Sequence, residues 1–181
     1  MEDGIVGFRL GSLGIIAKLA FALALVGMPV ARPLFAADGI TLQIMASRVS
    51  TINGEYTGHA FMCIALLLNS GIKEDCYGFY PKADNIKGYI GGPGVINSEF
   101  HKKPSRFSRV DQSLIVPISE SQRRAILGLV NDWDSKNYDL TKQHCVDFIR
   151  SVAVAAGLKV PDRVGSDFPA DLVAKLKTLN H

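Results

Sequence analysis

Cys145 and His59 are the two side chains of this sequence whose types together suit nucleophilic catalysis. A thiolate attacks a carbonyl carbon, and an imidazole takes the thiol proton and later returns it to the leaving group. Cys145 falls in the first turn of an expected helix. The helix dipole and the unpaired amides there favour a thiolate and offer donors to an oxyanion. His59 follows Gly58 at the start of an expected strand. Taken singly, each residue has a plainer role. A cysteine on an apolar helix face packs as a small hydrophobe, and a histidine at a strand start is usually a polar edge residue.

Other chemistries find less support. His59, His101, His144 and His181 are scattered, with no HExxH or CxxC spacing, so neither a zinc site nor another metal or cofactor is expected. Glu99 and Asp147 form no evident carboxylate pair for glycoside cleavage. Gly91-Gly92-Pro93-Gly94 lacks the following Lys-Ser or Lys-Thr of a phosphate loop, and no strand directly precedes it. It reads as a turn or a substrate-side loop.

The elements that must position these residues follow from periodicity. Ile40, Leu42 and Ile44 alternate with Thr41, Gln43 and Met45, which predicts a short strand. Asn53-Gly54 marks a turn. Residues 59–68 and 72–80 read as two strands of a hairpin, separated by Asn69-Ser70-Gly71. On the first, His59, Phe61, Cys63, Ala65 and Leu67 share one face. A four-residue loop places Cys63 opposite Cys76 and His59 opposite Tyr80. A two-residue loop at Ser70-Gly71 would put the two cysteines on a diagonal, which suits a bridge poorly. Residues 81–108 read as loop, and 114–118 as the next strand.

Three helices complete the chain. Ser119 with Gln122 fits a capping box ahead of a helix that turns Ile126, Leu129, Val130 and Trp133 to one face. Trp133 is expected as a core anchor rather than a stacking platform. Thr141 is the expected cap of a helix running to Ala156, with Gly157 as its stop. Cys145, Phe148, Ile149, Val152 and Ala156 line its apolar face. A last helix is expected over 169–179, with Asp167 near its start and Leu172, Val173 and Leu176 inward. The fold class is α+β, an antiparallel sheet packed against helices.

Residues 1–36 differ in character from the rest. Arg9 and Lys18 precede an apolar run over 19–31, and Pro33 and Leu34-Phe35-Ala36-Ala37 follow. The pattern describes a secretory signal with cleavage near Ala36. The run is shorter than the roughly 20 residues of a spanning helix, and an uncleaved anchor would need residues 10–31 with Lys18 tolerated. The expected organisation is a signal peptide or membrane anchor over 1–36 and one domain over 37–181. The compartment would then be the periplasm or the exterior, with any membrane contact through residues 10–31. In an oxidising compartment, Cys63, Cys76 and Cys145 are most simply one disulfide and one thiol.

Composition narrows the class. The chain has 181 residues, 48% of them hydrophobic and 20% charged, which are ordinary globular values and exclude disorder as the main state. The formal net charge of +3, without a basic run, argues against a nucleic-acid partner. Oligomeric state is open.

Four segments carry a resemblance. Tyr56-Thr57-Gly58-His59-Ala60-Phe61, Tyr77-Gly78-Phe79-Tyr80-Pro81, Asn137-Tyr138-Asp139-Leu140 and His144-Cys145-Val146-Asp147-Phe148 follow in order. Over about residues 40–160 the chain resembles the circularly permuted papain-like cysteine hydrolases. These include permuted relatives of the NlpC-type cell-wall peptidases and the lecithin:retinol acyltransferase-like proteins. In that group a Gly-His strand comes first and an Asn-Cys-x-x-Phe helix start later. The resemblance implies a permuted papain-like fold, Cys145 as nucleophile and His59 as base. It also implies a polar residue on the neighbouring strand to orient the histidine, for which the four-residue loop register offers Tyr80. The chain departs from the pattern at His144, where the family often has Asn. Adjacent helix residues point apart, so His144 is expected to face solvent.

The leading expectation is an exported cysteine hydrolase cleaving an amide bond, with peptidoglycan stem peptides as the substrate class that the resemblance and export suggest. A second is an acyltransferase or thioesterase on lipid-type acyl groups, using the same dyad. A third is a non-catalytic periplasmic binding domain, in which Cys145 would be inert.

Overall fold

A computed structural model describes residues 39–52, 55–99, 104–163 and 168–181. All belong to one compact unit, Arg32–His181. The expected signal or anchor over 1–36, the Asn53-Gly54 turn, His101 and Asp167 lie outside the described residues. Among the described residues, no helix is long and apolar enough to cross a membrane.

Six strands form one antiparallel sheet. They are β1 (Ile40–Ile52), β2 (Glu55–Leu68), β3 (Gly71–Pro81), β4 (Ile90–Ser98), β5 (Val110–Pro117) and β6 (Asn137–Asp139), in spatial order β5-β1-β2-β3-β4-β6. The helices are α1 (Ile86–Tyr89), α2 (Glu120–Trp133), α3 (Cys145–Ala155) and α4 (Pro169–Leu179), with a 3-10 turn at Pro104–Arg109. The α+β expectation and the antiparallel sheet hold. The expected short first strand is longer than its alternating core, because β2 and β5 both pair with it.

Strand alternation divides the interior. Ile40, Leu42, Ile44 and Ala46 of β1 and Ala60, Met62 and Ile64 of β2 face the larger core. There they join Phe148, Ile149 and Val152 of α3 and Leu172, Val173 and Leu176 of α4. Met45, Phe61, Cys63 and Cys76 form a smaller cluster on the opposite face, with Phe107 and Val110 packed against it. Trp133 is 3% exposed and packs edge-on against Phe79 and Phe148, at centroid distances of 5.0 and 5.6 Å, so it is a core anchor.

The β2–β3 hairpin pairs Leu67 with Ile72, and Cys63 with Cys76. This is the first of the two registers considered. Leu68 and Gly71 also pair, which leaves only Asn69-Ser70 at the tip. Cys63 and Cys76 are joined as a disulfide across 13 positions of chain. A loop of that size, closed in the unfolded state, stabilises the fold by about 3 kcal/mol.

Two local expectations are corrected. Residues 81–108 are not a continuous loop. They contain α1, β4 and the 3-10 turn, and the Gly91–Gly94 segment is strand. Low side-chain content hid β4 because its glycines serve close approach. A Cβ at Gly94 would lie 2.3 Å from Phe79 Cζ, and Gly94 N donates to Lys136 O at 2.8 Å. The cap of α3 is His144, not Thr141. Asp139 captures Thr141 instead, accepting from its backbone N at 2.8 Å and its hydroxyl at 2.7 Å. By contrast, the Ser119–Gln122 capping box of α2 and the bounds of α4 match expectation.

Candidate functional site

The β2–β3 ladder runs from the hairpin tip to Met62↔Tyr77, one pair beyond the disulfide. Further along, His59 and Tyr80 stack, with ring centroids 4.4 Å apart and planes 23° from parallel. On its other side β3 pairs with β4 from Tyr77↔Ser98 to Pro81↔Gly94. Glu99 follows directly on Ser98 at the end of β4, which brings its carboxylate back over β3.

That carboxylate is fully buried, with the His59 side chain 8% exposed beside it. Tyr80 Oη donates to Glu99 Oε1 at 2.5 Å, and His59 Nε2 lies 3.0 Å from the same oxygen. A buried carboxylate needs donors to offset lost hydration, and a phenol and an imidazole supply them. The geometry suits the tautomer or cation in which Nε2 carries a proton and donates it to the glutamate. With Nε2 committed, proton exchange with a nucleophile runs through Nδ1.

Gly78 makes this arrangement possible. A Cβ there would lie 2.0 Å from Glu99 Oε1 and 2.6 Å from His59 Nε2. No other residue type leaves room for carboxylate and ring to meet over β3. Phe61, next but one to His59 on the same face, lies parallel to it at 6.2 Å and meets Phe107 edge-on at 5.3 Å. The polar group thus adjoins, through His59 and Phe61, the smaller apolar cluster of Met45, Phe61 and the disulfide.

Cys145 is the first residue of α3 and is 4% exposed. It is the cysteine left outside the disulfide. The helix start is tied down by a reciprocal cap. His144 Nδ1 accepts from Val146 N at 3.4 Å, and Asp147 Oδ2 accepts from His144 N at 3.0 Å. Arg163 Nη1 stands 3.1 Å from Asp147 Oδ1 and also donates to Lys142 O. His144 is therefore buried, contrary to the expectation of solvent exposure. As the cap it lies outside the helical rotation that separates neighbouring side chains, so that rule does not apply to it.

The structure brings His59 and Tyr80 together, with Tyr80 acting on His59 by stacking and through Glu99. It places Cys145 in the larger core, whose members include Ala60, the residue next to His59 on β2. Pleating turns His59 to the face of Phe61 and Cys63. Sequence reasoning missed Glu99, weighing it only as half of a carboxylate pair with Asp147. The two acids serve separate places: one holds an imidazole, the other caps a helix. Glu99 ends a segment of weak periodicity, and only the strand identity of 90–98 would have pointed it at Tyr80.

One grouping of potential metal ligands occurs among the described residues, Cys63, Glu74 and Cys76. Two of the three sulfur and oxygen donors are spent in the disulfide. Burial pushes the Glu74 carboxyl above its ordinary value, which also disfavours a charged ligand there.

No protein-family model matches the chain, and no curated protein matches it. Among solved structures it is similar to a type VI secretion system effector, TseH, with a TM-score of 0.49 and 15% sequence identity. That similarity covers 80% of this chain and 91% of the other.

Proposed function

We propose that the protein is a cysteine hydrolase of the permuted papain-like kind, acting on an amide bond. The observation that supports this most is the buried His59–Glu99–Tyr80 group. A histidine whose Nε2 is held by a carboxylate is oriented as a general base, and the carboxylate stabilises the imidazolium that forms. In this reading His59 Nδ1 takes the Cys145 proton and the thiolate attacks the carbonyl carbon. Amides at the start of α3 receive the oxyanion. The C–N bond then breaks as imidazolium protonates the leaving amine. Water, deprotonated by His59, hydrolyses the thioester. Tyr80 and Glu99 hold the ring throughout.

The Cys63–Cys76 disulfide agrees with an oxidising compartment, which suits export. A cell-wall peptide is the substrate class proposed, on the strength of the resemblance and of that compartment.

The test is the pH profile of Cys145 alkylation by iodoacetamide, in the full chain and in His59→Ala, with mass mapping of the modified residue. An unassisted thiol reacts as its thiolate forms near about pH 8.5. The expected result is fast alkylation well below that pH, lost in His59→Ala. Slow alkylation unaffected by His59→Ala would overturn the reading and leave a binding domain.

A further inference from the structure

We infer that the tip of the β2–β3 hairpin is a membrane-contact site, which inserts its apolar side chains into the surface of a lipid bilayer. The inference is independent of the proposed chemistry. Every residue of β2 from Ala60 to Ala65 is buried. The pattern reverses at the tip, where Leu67, Leu68 and Ile72 are 50%, 47% and 64% exposed. Leu67 pairs directly with Ile72, so their side chains stand together on one face of the hairpin. Leu68 pairs with Gly71 and turns to the other face. The tip is therefore apolar on both faces.

The hairpin also outruns its neighbours. The pairing of β1 with β2 reaches only to Ile40↔Leu66, and β4 pairs with β3 only from Tyr77 onward. Leu68 and residues 71–76 thus lack an outer strand neighbour among the described residues. An unpaired edge with exposed apolar side chains invites association unless something covers it. No side chain from Leu66 to Ile72 is charged, and Lys73, the first charge beyond, pairs with Asp75 at 3.5 Å. The tip suits an apolar occupant rather than an ionic one.

The course of the chain points to lipid as that occupant. Gly39 O accepts from Leu67 N at 2.8 Å, so the chain enters the domain beside the tip. Gly39 lies eight positions after Ala31, where the apolar run over 19–31 ends. Even fully extended, that link spans no more than about 28 Å. A bilayer that takes up the run therefore holds the tip end of the domain near its surface. The run of 13 residues is shorter than the roughly 20 that span a bilayer. A membrane contact too weak to hold alone becomes stable when a second one joins it, and the tip supplies the second.

The experiment uses the full-length chain and phosphatidylcholine vesicles with brominated acyl chains, which quench tryptophan on contact. Trp133, the one tryptophan of the chain, is buried and sets the background. Ile72→Trp puts a reporter at the tip. Ile86, 78% exposed in α1 beyond the opposite end of β3, gives the control Ile86→Trp. With vesicles, Ile72→Trp emission should shift to the blue. It should also lose about half or more of what it adds over wild type, because interfacial side chains reach about 5–10 Å into the headgroup–acyl boundary. Ile86→Trp should keep its emission. Adding Leu67→Asn and Leu68→Asn to Ile72→Trp should weaken the quenching. An unquenched tip in a chain that floats with the vesicles would overturn the inference and assign attachment to the apolar run alone. A chain that does not float would overturn it as well, and so would equal quenching at both positions. A blue-shifted Ile72→Trp without lipid would give the tip another occupant. That occupant would be a second copy if the chain elutes as a dimer, and the chain's own N-terminal segment if it elutes as a monomer.

Discussion

The imidazole end and the thiol end of the candidate site are built on opposite plans. His59, Tyr80 and Glu99 come from three adjacent strands or their ends; ladder pairing fixes His59 and Tyr80, and Glu99 follows directly on the last paired residue of β4. The group depends on contacts between residues 19 and 40 positions apart in sequence. Cys145 comes from a helix start, and its organising partners, His144, Val146 and Asp147, are within two positions of it. One end is made by tertiary structure and the other by local structure. The difference predicts that single substitutions will damage the two ends by different mechanisms, and to different degrees.

The largest effect is expected at Glu99. Gln in its place keeps an oxygen for Tyr80 and His59 and removes the charge that would balance an imidazolium. Buried charge-assisted bonds are about twice as strong as neutral ones, and loss of the acid in a comparable triad costs up to about 10⁴-fold in turnover. Glu99→Gln should therefore lower kcat/KM for an ester probe by about a hundredfold or more. The alkylation profile of Cys145 should move toward that of an ordinary thiol. A variant with the wild-type profile would show that Glu99 only fills space, and would break the proposed division of the site.

The same contrast explains what the sequence disclosed. Cys145 was legible because a capped, apolar-faced helix is a local pattern, and because the helix start fixes the environment of its first residue. His59 and Tyr80 were legible as strand residues, and the Cys63–Cys76 register that aligns them was one of two options. Glu99 was not legible. Its partner is 40 positions away, and the strand that delivers it is rich in glycine and lacks alternation. Gly78 shows the same limit, since its value lies in the Cβ that is absent beneath two side chains from other strands. His144 failed for a different reason. The expected helix began at Thr141, which put His144 inside it rather than at its cap.

At the thiol end the expected effect is smaller and concerns stability first. His144→Ala removes a side-chain acceptor from Val146 N, a loss of about 1 kcal/mol at an N-cap, and Ser or Asn at 144 should restore it. Urea midpoints of the three variants test this. Alkylation of Cys145 should keep its dependence on His59 in all of them. If His144→Ala instead abolished that alkylation as fully as His59→Ala, the imidazole next to the thiol would be the base. The distinction between a tertiary and a local end would then collapse.

The smallest effect lies in the turn that leads into α3. Asp139 and Gln143 exchange backbone hydrogen bonds at 2.8 Å, and Asp139 Oδ1 accepts from Thr141 Oγ1, Thr141 N and Lys142 N. The Thr141 hydroxyl bond, followed by its backbone bond, holds the Asp139 carboxyl below its ordinary value of 3.8. A folded-state value below the unfolded one adds stability above pH 3.8, and that contribution disappears as pH falls through the lowered folded value. Asp139→Asn should therefore be slightly less stable than wild type at pH 7, and the gap should close in acid below the ordinary carboxyl value. Denaturation midpoints for the pair, measured across that range, give the sign directly. Asn keeps an oxygen for the same donors, so the turn and the position of Cys145 should survive, and the alkylation profile should not move. A pH-independent gap would mean that the charge is irrelevant and the turn is held by geometry alone.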